Sequence, residues 1–162
     1  MAGAIPALER EAIVFDAHPF VIFLNDEPGA GLIESLLVRA SNGTTRVLMT
    51  VVNAAEVLVA QERRGGAEAS HRTLDVLQEL PLELIDIDLE LAARAAYFKA
   101  RGGISLADCF AAALAHREGL PVLTGDPEFE RVADDVQVIW LSGHQFDASA
   151  PPAGHRPLAI QT

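Results

Sequence analysis

The chain has 162 residues, half of them hydrophobic, with 23 acidic against 12 basic residues and a formal charge of -11, which is the size of one domain around one core. That charge excludes sequence-independent coating of a polyanion, though not a nuclease, because carboxylates gathered at a divalent-metal site have their charge offset by the ion. A single cysteine, Cys109, excludes an intramolecular disulfide and fits a reducing cytoplasm, and no apolar run reaches the roughly 18 residues of a membrane span.

Ala12-Ile13-Val14-Phe15 is a short apolar run ending on Asp16, and Pro19 stands where a helix can start ahead of Phe20, Val21, Phe23 and Leu24. The unit reads strand, acid, helix. Turn residues from Asn25 to Gly29 lead to a second helix marked by Ile33, Leu36, Leu37 and Ala40, which ends near Ser41-Asn42-Gly43. Arg46 to Thr50 is the next strand. Asn53 and Glu56 have cap-plus-three spacing ahead of Val57, Leu58 and Ala60, so an acid again opens a helix after a strand. Arg63-Arg64-Gly65-Gly66 breaks that helix, a further one runs through Leu74, Leu77 and Leu80, and Pro81 ends it. Leu82 to Ile87 alternates apolar and acidic residues as a half-exposed strand near a sheet edge would, and an alanine-rich helix follows from Asp88 to about Ala100.

The densest pattern runs from Ile104 to Phe129. Ser105 stands three residues before Asp108, the spacing of a capping box, and Leu106, Cys109, Phe110, Ala113 and Leu114 mark one helical face. Gly119 closes the helix, Pro121 to Thr124 reads as a strand, and Gly125-Asp126-Pro127 is a turn that begins another helix. Val136 to Trp140 is the last strand. The tail from Gly143 has no periodicity, so the expected organisation is a single domain over residues 1–142 and an irregular segment over 143–162.

Strands alternating with helices five times over imply an α/β fold with a central, mostly parallel sheet of about five strands covered on both faces. In such a sheet the ligand crevice lies at the carboxyl ends of the strands. Asp16 and Asp126 follow strands directly, while Glu56 and Asp108 occupy first helical turns on connections that can face the same crevice. Taken singly, each acid is accounted for as a cap or a partner of the helix dipole, worth about 0.3–1 kcal/mol. Taken together, carboxylates within about 4–6 Å raise one another's pKa, a cost that capping does not require and a divalent cation removes. Oxygen donors without a Cys pair or an HExxH helix point to a hard ion, Mg²⁺ or Mn²⁺. Such an ion lowers the pKa of a bound water and neutralises charge on phosphoryl oxygens, which suits phosphodiester hydrolysis.

The VFDAH segment with Asp16, the VVNAAEV segment with Glu56, the SLADCFAAALA helix with Asp108, the LTGDPEF turn with Asp126 and the closing VIWL strand stand in a family's order and spacing. From about Ile13 to Leu141 the chain resembles a PIN domain of the VapC toxin type. The resemblance implies a three-layer α/β/α PIN-like fold and a Mg²⁺- or Mn²⁺-dependent endoribonuclease, the toxin of a type II toxin-antitoxin pair. It further implies an RNA substrate, a cognate antitoxin, a homodimer and a cytoplasmic location. In that family the acids corresponding to Asp16, Glu56, Asp108 and Asp126 hold the metal and orient or deprotonate the attacking water, and a hydroxyl placed like that of Thr124 assists. His18 departs from the pattern, standing where many members have Ser or Asn, and is expected to be a structural imidazole. Glu128 and the Asp134-Asp135 pair are further candidates for an outer metal position, with solvated acids the preferred reading; Arg63-Arg64 and Lys99 with Arg101 are the cations available to RNA, and exposed helix ends account for them equally well. The rival from another class is a catalytically silent PIN-fold binding partner. A phosphatase of the haloacid dehalogenase type is discounted, because it needs an aspartate where His18 stands.

Overall fold

Ala12–Phe15 is apolar at all four positions because both faces of its strand are covered. Ile13 and Phe15 share one core with Val47, Met49, Phe20, Ile33 and Val57, whereas Ala12 and Val14 share another with Leu48, Val122, Leu91, Phe98 and Leu114. Each large side chain removed from water in these two cores stabilises the fold by about 1.5–3 kcal/mol. In this computed structural model, described for residues 11–141 and 158–159, the strands are β1 (Ala12–Phe15), β2 (Arg46–Thr50), β3 (Leu82–Ile85), β4 (Val122–Thr124), β5 (Val138–Trp140) and β6 (Leu158–Ala159). Helices α1 (Ala17–Leu24), α2 (Ala30–Ser41) and α3 (Val51–Glu79) connect the first three strands. After β3 come α4 (Leu89–Ala100) and α5 (Leu106–Glu118), and a 3₁₀ helix, Pro127–Val132, lies between β4 and β5.

The strand order is β3-β2-β1-β4-β5-β6 and every pairing is parallel. The chain therefore builds outward from β1 to β3 and then returns to the other side of β1 to place β4 and β5. This reversal makes the β1/β4 boundary a topological switch point, where the connections leave in opposite directions and open a crevice at the strands' carboxyl ends. Residues 82–85 do form the sheet edge. Leu158–Ala159 pair with Ile139–Trp140 as a sixth strand, and the rest of the segment anticipated as an irregular tail lies outside the described residues. Among the described residues no helix is long and apolar enough to cross a membrane.

The break expected at Gly65-Gly66 is present: both glycines leave helical φ/ψ, so α3 is two helices joined across this kink, with Gly66 at a φ of 73° that disfavours any residue carrying a Cβ. Two sequence expectations change. The cap of α3 is Thr50, the last residue of β2, whose hydroxyl accepts the Asn53 N–H. The strand runs into the helix with no loop between them, and Glu56 consequently lies in the second turn of α3 instead of the first. Helix α5, expected to have one apolar face, is buried at Asp108, Cys109 and all of Ala111 to Ala115, while Leu106 is 53% exposed. Its alanines are small enough for both the sheet and α4 to pack closely on it.

Candidate metal centre

Asp16 follows β1 and caps α1. Its Oδ1 accepts the His18 N–H at 3.1 Å, and its Oδ2 accepts the hydroxyl of Thr124. Thr124 ends β4 and is fully buried, and its Oγ also accepts the N–H of Asp126 at 3.0 Å. One hydroxyl thus ties together the acids on the two sides of the switch point. Asp126 caps the 3₁₀ helix, with Oδ1 accepting the Glu128 N–H at 2.9 Å. Asp108 is the third residue of α5, and its own N–H is held by Ser105 Oγ at 3.1 Å. Glu56 reaches the same place from α3, and α3 is fastened to α5 by Asn53, whose buried amide donates to the Ala107 carbonyl at 3.1 Å. Its spacing to Glu56 predicts a helix cap for Asn53; its place as a connector depends on a partner 54 residues away, which spacing along the chain does not reveal.

Asp16, Glu56, Asp108 and Asp126 all line one cleft of about 550 Å³, together with His18, Ser105 and Glu128. Single carboxylate oxygens of Asp108, Asp126 and Glu128 lie within 4.8 Å of one another. Among the described residues, no Lys or Arg forms an ion pair with any of the four acids. The electrostatic consequence has the same sign for Asp108, Asp16 and Glu56. Burial pushes Asp108 up to about 7 against the opposing bond from Ser105, and Asp126, Glu56 and Glu128 add repulsion in the same direction as burial. Asp16 is raised well above the usual carboxylate range by burial, with Asp108 and Asp126 adding to it against the opposing bond from Thr124. Glu56 is raised by its partial burial and by Asp126, with Asn53 opposing.

His18 packs its ring on Gly125, where a Cβ would overlap the imidazole. Burial lowers its pKa despite Asp126 and Glu27 nearby, so the ring serves as packing for the turn that carries Asp126, and it also lines the cleft. Glu128 is exposed, as expected of a solvated acid, and in addition its Oε2 accepts the Ser105 N–H at 2.7 Å and it lines the cleft. Asp134 and Asp135 do not line the cleft, and Asp135 pairs with Arg101. Lys99 Nζ donates to the Ile104 carbonyl at 2.8 Å, so both cations of that pair have protein partners, whereas Arg63 and Arg64 are exposed beside the α3 kink. Cys109 is buried, and its thiol is pushed up to about 11, which makes it unreactive near neutral pH.

The donor set is all oxygen, three of its members are held as poor acids by burial and mutual repulsion, and among the described residues no Lys or Arg pairs with them. These residues fit a hard divalent ion, which would relieve that repulsion. A parallel sheet with a carboxylate-lined cleft at its switch point defines the class, and the sequence assigns the family. The chain belongs to the PIN domain family, whose profile matches residues 13–135. It is 32% identical over 119 residues to the protein named ribonuclease VapC of Mycolicibacterium smegmatis, covering 68% of this chain and 88% of that one. Its fold is similar to that of DNA-bound VapBC from Salmonella typhimurium, with a TM-score of 0.63 and 20% identity over 80% of this chain and 97% of that chain. A similar fold occurs in VapBC-5 of Mycobacterium tuberculosis, described as a member of the VapBC family of toxin-antitoxin systems, with a TM-score of 0.55 and 23% identity over 82% of this chain and 100% of that one.

Proposed function

We propose that this protein is a Mg²⁺- or Mn²⁺-dependent endoribonuclease, the toxin of a toxin-antitoxin pair. The observation that carries the reading is the convergence, in one cleft, of four carboxylates from four distant segments with no Lys or Arg among the described residues paired to them. Asp16, Glu56, Asp108 and Asp126 would hold the ion. When bound, it supplies an acidified water and neutralises charge growing on the phosphoryl oxygens. The chain's own carboxylates then orient the attacking water and take up its proton. Thr124, tied to Asp16 and to the Asp126 N–H, acts by fixing those two acids.

The 32% identical relative is named a ribonuclease, which supports RNA as the substrate. The toxin-antitoxin description of the Mycobacterium tuberculosis complex supports a cognate antitoxin as the protein partner. The same reading places the chain in the cytoplasm as a homodimer. It is tested by incubating the purified protein with structured RNA and Mg²⁺ or Mn²⁺. Cleavage is expected to stop with EDTA and to fall by about 100-fold or more in Asp108→Asn, the scale of losing a metal ligand and its electrostatic contribution. Cleavage that survives both would overturn the assignment, and a protein that takes up no metal and cuts no RNA would be the silent binding partner.

A further inference from the structure

A capping box makes two reciprocal bonds: the cap hydroxyl accepts the N–H three residues on, and the acid at that third position reaches back to the N–H of the cap. In α5 only the first bond follows this pattern, from the Asp108 N–H to Ser105 Oγ at 3.1 Å. The second amide, Ser105 N–H, donates instead to Glu128 Oε2 at 2.7 Å, from a residue 23 positions further along the chain. The Glu128 N–H in turn donates to Asp126 Oδ1 at 2.9 Å. One exposed glutamate therefore joins the first turn of α5 to the turn that carries Asp126. Had Asp108 closed its own box, its carboxylate would be bent back along the helix end. As it stands, Asp108 lines the cleft, and its carboxylate lies with those of Asp126 and Glu128.

We propose that Glu128 is a positioning residue: it completes the cap of α5 in place of Asp108, which leaves the Asp108 carboxylate available to the cleft at a fixed spacing from Asp126. The inference rests on the proposed metal-dependent site and names the residue that keeps it assembled. The alternative is that Glu128 is itself a ligand, and charge separates the two. Glu128→Gln keeps a carbonyl acceptor for the Ser105 N–H but removes the charge, while Glu128→Ala removes both.

Mn²⁺ affinity is measured by calorimetry on the full chain and its two variants. Supporting residues around metal ligands typically contribute 10–100-fold in affinity, so Glu128→Ala is expected to bind about 10-fold or more weakly and Glu128→Gln to stay within about 3-fold of the unsubstituted chain. A second readout needs no metal: in a metal-free crystal structure of Glu128→Ala, the Asp108 carboxylate is expected to turn back to the Ser105 N–H. Equal weakening in Gln and Ala would make Glu128 a ligand and overturn the proposal, as would an Ala variant of undiminished affinity or an Asp108 that has not moved. If the unsubstituted chain takes up no Mn²⁺, the metal reading fails, and the position of Asp108 in the Ala variant still decides the capping claim.

Discussion

Asp108 carries two demands that pull against each other. Its backbone belongs to a helix cap, while its carboxyl is buried among Asp126, Glu56 and Glu128 and pushed up to about 7. A carboxyl whose folded pKa is raised binds protons more tightly in the native state. Its contribution to stability is complete below the ordinary value near 3.8 and is lost as pH rises through about 7. Asp16 is shifted in the same direction. The metal-free protein is therefore expected to lose stability between about pH 4 and pH 7, and Asp108→Asn, which keeps the shape without the charge, to lose less. In chemical denaturation at about pH 8 without metal, the variant should be more stable by about 1–2 kcal/mol, and the difference should vanish near pH 4. Parallel pH profiles for the two proteins would contradict this. The four acids were legible in the sequence because Asp16, Glu56 and Asp126 sit near strand-to-helix junctions and Asp108 stands in the first turn of a helix, all local signals. Glu128 was legible as an outer candidate but its bond to Ser105 was not, because a bond to an amide 23 residues away leaves no trace in spacing.

At the level of elements, the cleft depends on how α3 meets α5, and that contact runs through Asn53. Its side chain accepts the Thr50 hydroxyl and donates to the Ala107 carbonyl, and the residue is fully buried. Asn53→Ala removes the acceptor of the Thr50 hydroxyl and the donor to the Ala107 carbonyl in a buried setting and is expected to lower stability by about 1–3 kcal/mol, read as a lower denaturation midpoint. RNA cleavage should fall as well, because Glu56 and Asp108 ride on the two helices so joined. A variant with unchanged stability would show that the amide does not carry the contact. Strand and helix existence was readable from periodicity, since the apolar runs at residues 12–15, 46–50 and 122–124 match covered parallel strands. The cap of α3 was misread because Thr50 ends β2 and starts α3 at once, so the motif sought one turn later had no loop to mark it. The face of α5 was misread because alanine satisfies a buried and an exposed position alike.

Across the whole molecule, alternation of strands and helices announced a parallel α/β sheet, but nothing local fixes on which side of β1 the later strands are added. That choice creates the switch point, and with it the meeting of Asp16 and Asp126 through Thr124. On the proposed reading, a chain of charge -11 that concentrates buried carboxylates there has them offset by a bound cation. Binding to the native cluster alone would also stabilise the fold, by about 2.7 kcal/mol at a hundred times the dissociation constant. The most direct measurement is a calorimetric titration of the metal-free chain with Mn²⁺ at about pH 7.5, beside the Asp16→Asn variant. Saturable uptake is expected in the unsubstituted chain, and at least about 10-fold weaker uptake in the variant, which loses a charged oxygen donor. An unsubstituted chain that binds no Mn²⁺, or an Asp16→Asn variant that binds it equally well, would contradict the claim that these acids form one metal site.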